Sequence, residues 1–576
     1  MIKLPIPDER LQQLQLPARI AGIAGLLLVA GSTLMPWAYR REALDNMTYW
    51  GAPSPLQWHF VALGLIGAVL FAVPLLGRAR LKRWARIAGW NSAARTAAIG
   101  AAGAGLLTVV VIAIESGGLV NTEPGVWLAL AGGAVAALSS LVLPESPEPS
   151  LGRLRSPKWL QILAITLGLA AILFAAVFML SLDDAGAFFV FVTLVVVIIL
   201  TLKEWGVFGW YATAVSLNKR VLVFSAFVAA FAFPFTQGGS DAHMSIAAQV
   251  LVFAATALGL NIVIGLVGLL DLGYIAFLGA GAFTAAILSE SAFSTVNWSP
   301  PFIVTVLIAG TVSALLGLLI GSPTLRVSGD YLAIVTLAFG EIFRLAMRNL
   351  DGNDGPDLTN GPNGIPGIPN LNFFGFDFGQ PQHFFGIETG RFANYFWLLL
   401  LVLGFIILVF TNLNRSRIGR GWVAIREDEL AAEAMGVNSF GLKLLAFAGG
   451  AFLAGVAGTV KAHMDTSVVP EQYVFLESAF LVAAVVLGGM GTVMGVLIGA
   501  TILKVLPEKL RFFSDYRLLL FGLLMVFMMR FRPEGIIADE RRQLEFHADD
   551  EELAEEVEED LILHQAHYNP DLKGGQ

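Results

Sequence analysis

Between Val221 and Leu325 the chain contains no lysine and no arginine. Elsewhere it is nearly as apolar. Of 576 residues, 56% are hydrophobic and 14% charged, with mean hydropathy +0.72. A soluble domain usually carries charge on roughly a quarter of its residues. This chain has too little polar surface to cover a globule in water, so lipid must be the solvent for much of it. The 61 glycines fit, because membrane helices tolerate glycine and use it for close packing.

A spanning helix needs ~20 mostly apolar residues. About sixteen segments qualify by that rule: 17–38, 56–77, 94–114, 125–143, 158–181, 187–202, 220–235, 246–270, 272–289, 301–321, 328–347, 393–412, 441–463, 475–490, 492–507 and 516–530. The pair within 475–507 is short and glycine-rich, and suits a broken or re-entrant passage. The N-terminal segment is mixed in charge, and its apolar run ends in Pro36 and Trp37. That favours a retained first membrane helix over a cleaved signal peptide.

Orientation follows from the tendency of Lys and Arg to stay on the cytoplasmic side. The loops at 78–95, 144–158 and 203–220 are basic, whereas the connections near 115–125 and 181–186 have no Lys or Arg. The first six helices therefore alternate from a cytoplasmic N-terminus. Arg326 marks a later inside loop, and Arg415, Arg417, Arg420 and Arg426 mark another. The stretch 349–391, rich in Gly, Pro, Asn and Asp, reads as an ordered outside loop. Arg530 and Arg532 place the C-terminus inside. Lys509, Arg511 and Arg517 fall outside by this count and are its exception.

Three regions are expected: a six-helix membrane extension at 1–219, a core of about ten helices at 220–533, and an acidic, disordered cytoplasmic tail at 534–576. The tail alone sums to −11, so the rest of the chain, at +3, is nearly neutral. No basic patch suits nucleic acid. With no cysteine, disulfides, thiolate metal sites and cysteine nucleophiles are excluded. There is no Gly-Lys pair and hence no nucleotide-binding P-loop; H-E-x-x-H and a nucleophile elbow are absent too. His463, near a helix end, suits an interfacial place better than a catalytic one. The chain suits transport, not catalysis, and its energy source must lie elsewhere.

One polar island interrupts the apolar runs: "GRGWVAIREDELAAEAMGVNSFGLKLLAF", Gly419–Phe447. Glu427, Asp428 and Glu429 suit a helix start. Leu430 to Met435 are mostly good helix formers, and Gly436 suits a stop. Val423, Leu430 and Ala434 would form one narrow apolar face. The spacing predicts a single short cytoplasmic helix near 423–436. It either lies on the membrane or inserts into a groove of a partner. Charges on both faces and an alanine-rich middle favour the groove.

The same stretch resembles the coupling loop of permease subunits in bacterial branched-chain amino-acid ABC importers. Three further regions agree in order: "GLNIVIGLVGLLDLGYIAFLGAGAF" (259–283); "LRVSGDYLAIVTLAFGEIFRLAMRN" (325–349) with "TNGPNGIPGIP" (359–369); and "VVPEQYVFLESAFLVAAVVLGGMGTVMGVLIGA" (468–500) with "FRPEGI" (531–536). The resemblance spans roughly 240–536. It implies an all-α inner-membrane permease whose core resembles the vitamin-B12 and ribose permeases. It also implies a second homologous permease chain, two ABC ATPases inside and a periplasmic amino-acid-binding protein. ATP with Mg would sit on the ATPases, leaving this chain without a cofactor. Arg426, Glu427, Asp428, Glu429, Ala431, Ala432, Glu433, Ala434 and Gly436 would carry ATPase coupling. Related urea permeases tend to have Ser and His where this chain has Asp271 and Tyr274, which favours amino acids. The six leading helices and the acidic tail depart from the family pattern.

Acids within spans are functional candidates, because charge is costly in lipid. Asp271, Asp330, Glu341 and Glu477 are such acids. Asp330 also suits a helix cap, and Glu341 stands at ion-pair spacing from Arg344. Together with Asn261, Gly265, Tyr274, Tyr331, Gly488 and Gly489 they form the candidate substrate path. Those glycines serve either tight packing or a backbone-lined route. An ion-coupled carrier using Glu341 or Asp271, and a urea or short-amide importer, are the competing functions.

Overall fold

The computed structural model of the chain describes residues 8–39, 53–75, 88–144, 146, 151, 156–182, 184–296, 298–324, 330–353, 355–373, 375–384, 386–509, 517–531 and 534–537. The basic residues at 78–86, Arg153, Arg155, Arg326, Arg511 and the tail beyond Ile537 lie outside these.

Each expected apolar segment contributes a helix, though not over its whole length. The first eight are α1 (Asp8–Ser32), α2 (Gln57–Ala72), α3 (Trp90–Glu115), α4 (Pro124–Ser140), α5 (Lys158–Ser181), α6 (Ala185–Trp205), α7 (Val207–Leu217) and α8 (Lys219–Ala232). There follow α9 (Asp241–Asn261), α10 (Ile275–Ile287), α11 (Phe302–Thr324), α12 (Asp330–Asn349) and α13 (Arg391–Arg415). The last six are α14 (Arg417–Glu427), α15 (Glu429–Ala434), α16 (Ser439–Asp465), α17 (Phe475–Gly488), α18 (Val493–Lys509) and α19 (Arg517–Phe531). Among the described residues, eleven helical stretches are long and apolar enough to cross a membrane; α4, α7 and α10 are shorter apolar helices. The chain is an all-α, multi-pass membrane protein.

Helix α7 corrects one expectation, the basic loop at 203–220. Counting Lys and Arg does not register an apolar 11-residue helix lying between charges. Its bounds are local. Gly206 ends α6 in the left-handed region at φ 91. Asn218 ends α7, its amide donating to Ala214 O at 2.9 Å and to Gln161 Oε1 at 2.7 Å.

The chain packs as two compact units. The first comprises residues 1–245, 381–393 and 506–517. Its core joins α1, α2, α3, α4 and α6 through Leu26, Phe60, Phe71, Ala97 and Val190, all fully buried. The alanines of α3 let neighbouring helices approach closely. Buried Arg19 donates to Asn91 Oδ1 at 2.6 Å, which satisfies part of a charge that would otherwise be stranded. Lys509 Nζ donates to Leu180 O at 2.8 Å and Leu182 O at 2.7 Å. The last carbonyls of a helix have no partner within it. The lysine that breaks the charge count is thus a cap for the end of α5.

The second unit comprises residues 246–380, 394–505 and 518–576. Helix α16 packs along α10 and α11. The loop at 349–391 is ordered, as expected, by small antiparallel pairs. In this unit β1 (Ile365–Pro366) pairs with a strand at Ser467–Val468, and Asn372–Phe373 pairs with Phe376–Asp377. His463, in the last turn of α16, is buried in the protein: Nδ1 lies 2.9 Å from Pro369 O, with Phe302 against the ring.

Candidate functional site: two helix breaks and the segment beside them

Two interruptions of helical structure meet in the second unit. Helix α9 passes at Ile262 into a short π-helical stretch that ends at Val267. The chain is then non-helical until α10 begins at Ile275. The sequence placed only a one-residue gap here, between spans ending at 270 and starting at 272. The second interruption separates α17 from α18 at Gly489–Thr492. It is the broken passage that the glycines of 475–507 suggested.

Asn261 fastens the two breaks together. Its side chain is fully buried; Oδ1 accepts from Gly491 N at 2.9 Å and Nδ2 donates to Thr492 O at 3.2 Å. Both are backbone groups released by the second break, and a buried backbone group without a partner is rare. Gly265 makes the approach possible. A Cβ there would stand 2.1 Å from Asn261 Oδ1 and 2.5 Å from Gly491 N. Gly489 is required for a second reason. Its φ is 121, and a Cβ would lie 1.9 Å from Ile537 O. The segment after α19 runs past it, with Ile536 N donating to Leu487 O at 2.9 Å and Ile537 N to Gly488 O at 3.0 Å.

The first break also holds two buried polar groups. Asp271 Oδ1 accepts from Gly273 N at 2.9 Å. Asp271 Oδ2 and the Tyr274 hydroxyl are buried without a hydrogen-bond partner. The Tyr274 hydroxyl lies against the backbone of Gly259 and Gly450. Thr336 on α12 donates to Ala333 O and accepts from Leu272 N, both at 3.0 Å, tying that helix to the break.

The polar island is placed beside this junction, in two pieces. The single expected helix at 423–436 is instead α14 followed by α15, because Asp428 is extended (φ −155, ψ 107) and its carboxylate caps Ala431 N at 2.9 Å. Val423 and Leu430 therefore belong to different helices and share no face, and Glu427 ends α14 where the sequence had it opening a helix. The stop at Gly436 holds, in a left-handed turn at φ 87. Helix α14 is anchored by buried Trp422, whose Nε1 donates to Leu442 O at 2.8 Å. Helix α15 is anchored through Glu429, paired to Lys443, and Glu433, which accepts from the Ser439 hydroxyl. Ala432 is its buried contact; Ala431 and Ala434 face outward. Leu430 is 78% and Met435 85% exposed. Arg426 joins the island to the first break. Its guanidinium donates to Gly265 O at 2.8 Å, pairs with Glu427 at 2.8 Å and lies over Gly268.

The remaining candidates are dispersed. Asp330 is the first residue of α12, and Tyr331 is 68% exposed. Glu341 is held by Arg344, whose Nε lies 3.0 Å from Oε1 and whose Nη1 is 3.6 Å from Glu471. This is the helical pair the spacing indicated. Glu477 on α17 pairs with Lys504 Nζ on α18 at 2.9 Å. Lys504 is not among the acids that mark the candidate path. A lone lysine in "VMGVLIGATILKVLPEK" meets the same criterion.

Stacked apolar helices, two breaks lined by backbone groups and an anchored polar segment beside them fit a membrane permease. Residues 242–529 match the family model described as branched-chain amino acid transport system / permease component. Over 341 residues the chain is 39% identical to the high-affinity branched-chain amino acid transport system permease protein LivM of Salmonella typhimurium, covering 57% of this chain and 77% of the relative. The LivM protein of Escherichia coli matches with the same identity and coverage. A probable branched-chain amino acid transport permease of Methanocaldococcus jannaschii is 24% identical over 309 residues, 49% of this chain and 84% of the relative. No solved structure matches. The chain belongs to the branched-chain amino-acid transport permease family.

Proposed function

We propose that this chain is the membrane subunit of an ATP-binding-cassette importer that moves branched-chain amino acids into the cytoplasm. Separate ATPases dock on α14 and α15. A second permease chain and a periplasmic binding protein complete the complex. It sits in the inner membrane with both termini cytoplasmic. ATP and Mg belong to the ATPases.

The observation that carries the reading is the anchored island. Its exposed Leu430 and Met435 offer an apolar knob, a form that fits a protein groove. Its rear is bonded through Arg426 to Gly265 in the first break. A push on α15 therefore has a physical route to the break, through α14 and the guanidinium. Displacing Gly265 would disturb its contact with Asn261, and with it the hold on Gly491 and Thr492. An ion-coupled carrier has no use for such a platform.

The test is uptake of labelled leucine by the reconstituted complex. It is run with and without ATP and the ATPases, with urea and other amino acids as competitors. ATP-dependent uptake inhibited by isoleucine and valine, and not by urea, is expected. Uptake by this chain alone, driven by a proton gradient, would overturn the reading.

A further inference from the structure

We infer that Glu477 and Lys504 form the place where the ammonium and carboxylate of a zwitterionic amino acid are read within the core. The inference rests on the transport reading above and names residues for it.

The pair lies on the inward faces of the α17–α18 hairpin. Glu477 is aligned with Leu481, Ala484 and Gly488 on α17, all buried. Lys504 is aligned with Val496 and Ala500 on α18, both fully buried. Its ammonium also lies 4.5 Å from the ring centre of Phe253 on α9, the helix of the most enclosed span. Glu477 lies in the first turn of α17 and Lys504 is the sixth residue from the end of α18, so the pair sits at the end of the hairpin away from the break.

A charged pair between two apolar helices needs a reason. Hydrophobic residues of the same volume pack a membrane hairpin without desolvating two charges. The hairpin already has close backbone contact, since a Cβ on Gly499 would stand 2.1 Å from Ala484 O. The two helices do not need the pair to stay together. The side chains also retain free surface, 25% exposed for Lys504 and 32% for Glu477. Each therefore still has room to meet a second counter-charge.

An α-amino acid carries its ammonium and carboxylate on one carbon, so it suits two opposite charges already side by side. Its ammonium meets Glu477 and its carboxylate meets Lys504. The aliphatic side chain lies against Phe253, Leu481 and Ala500. The protein's ion pair opens as two new ones form, so no charge is left bare in the interior. A molecule with only one of the two groups leaves Glu477 or Lys504 unmatched. Selection is then for the zwitterion, with the side chain as a secondary preference.

The absence of cysteine in the chain permits a direct test. Thr501→Cys, three residues from Lys504 on α18 and partly exposed, places this chain's one thiol beside the pair. In the assembled complex, L-leucine is expected to slow modification of that thiol by a small methanethiosulfonate at least fivefold. 3-Methylbutylamine, which lacks the carboxylate, and 4-methyl-2-oxopentanoate, which lacks the ammonium, should not protect. Glu477→Gln and Lys504→Met should abolish protection and reduce leucine uptake tenfold or more. The exchange Glu477→Lys with Lys504→Glu keeps the ion pair, so a purely structural brace would be restored by it. Continued loss of uptake in an assembled exchange variant supports the inference. Recovery to within twofold of wild type, or equal protection by all three compounds, overturns it. Wild-type complex that takes up no leucine with ATP refutes the transport reading itself, separately from this pair.

Discussion

Replacing Arg426 by methionine separates transport from ATP hydrolysis if α14 transmits force to the first helix break. Methionine keeps the aliphatic body that lies over Gly268 and removes the donor to Gly265 O, 2.8 Å away. It also frees Glu427 from its pair. The Glu427 pair matters little, because that carboxylate is half exposed and surface pairs contribute about 0–1 kcal/mol. The guanidinium bond is different. Its side chain is 10% exposed, and a hydrogen bond to a charged group contributes about 1.5–3 kcal/mol net. If the bond is made in only one of two transport states, its loss shifts their balance by roughly 10- to 150-fold. The assay measures leucine uptake and phosphate release in the same proteoliposomes. Hydrolysis within twofold of wild type with uptake reduced at least tenfold is expected. Arg426→Lys, which keeps charge and loses the planar fork, should fall between. An unchanged ratio of molecules moved to ATP hydrolysed in Arg426→Met would refute the linkage.

Other outcomes follow from the same geometry. Leu430→Asp with Met435→Asp should weaken capture of the ATPases by roughly 30-fold, a loss of about 2 kcal/mol typical of an apolar hot spot, measured by co-purification against ATPase concentration. Asn261→Leu leaves Gly491 N–H and Thr492 C=O unpaired; about 1–3 kcal/mol for each stranded group should appear as a lower thermal midpoint in detergent. Gly489→Val should prevent assembly, because φ 121 and the Ile537 carbonyl both exclude a branched side chain, and size-exclusion chromatography will show it. Asp271→Asn should lower the thermal midpoint by less than Asn261→Leu does, since the oxygen bonded to Gly273 N is kept.

Spans and breaks were legible for different reasons. A run of some 20 apolar residues has one stable form in lipid, because only a helix satisfies its backbone internally. The positions of α3, α9 and α16 follow from that rule. The end of α9 does not. The letters "NIVIGLVGLLDLGY" remain apolar, so hydropathy carries on through residues where the helix has stopped. The helix stops where Gly268 turns into the left-handed region, and Gly265 O finds its partner far away in sequence, in Arg426. Periodicity is local and does not register bonds of that kind. The division at Asp428 escaped notice for a nearer reason. Acids favour both a helix start and a capping turn. In "REDEL" the composition is the same for either, and only the extended φ of Asp428 decides.

The polar groups of the junction form an ordered set. Two bonds through Asn261 join the breaks to each other, and one through Arg426 joins the island to the first break. A neutral hydrogen bond contributes about 0.5–1.5 kcal/mol and one to a charged group about 1.5–3, so the three amount to only a few kcal/mol. A ligand shifts a two-state balance only by the difference in its affinity for the two states, and about 5.5 kcal/mol moves it from 1:99 to 99:1. The junction is therefore within reach of partner binding. A continuous helix through the same region would not be, since bending it would break several backbone bonds in a medium that offers no replacement. On the proposed reading, the breaks are where a small energy supplied at α15 can act. Their glycines allow two stretches of exposed backbone to meet, and Asn261 and Arg426 set how firmly they are held.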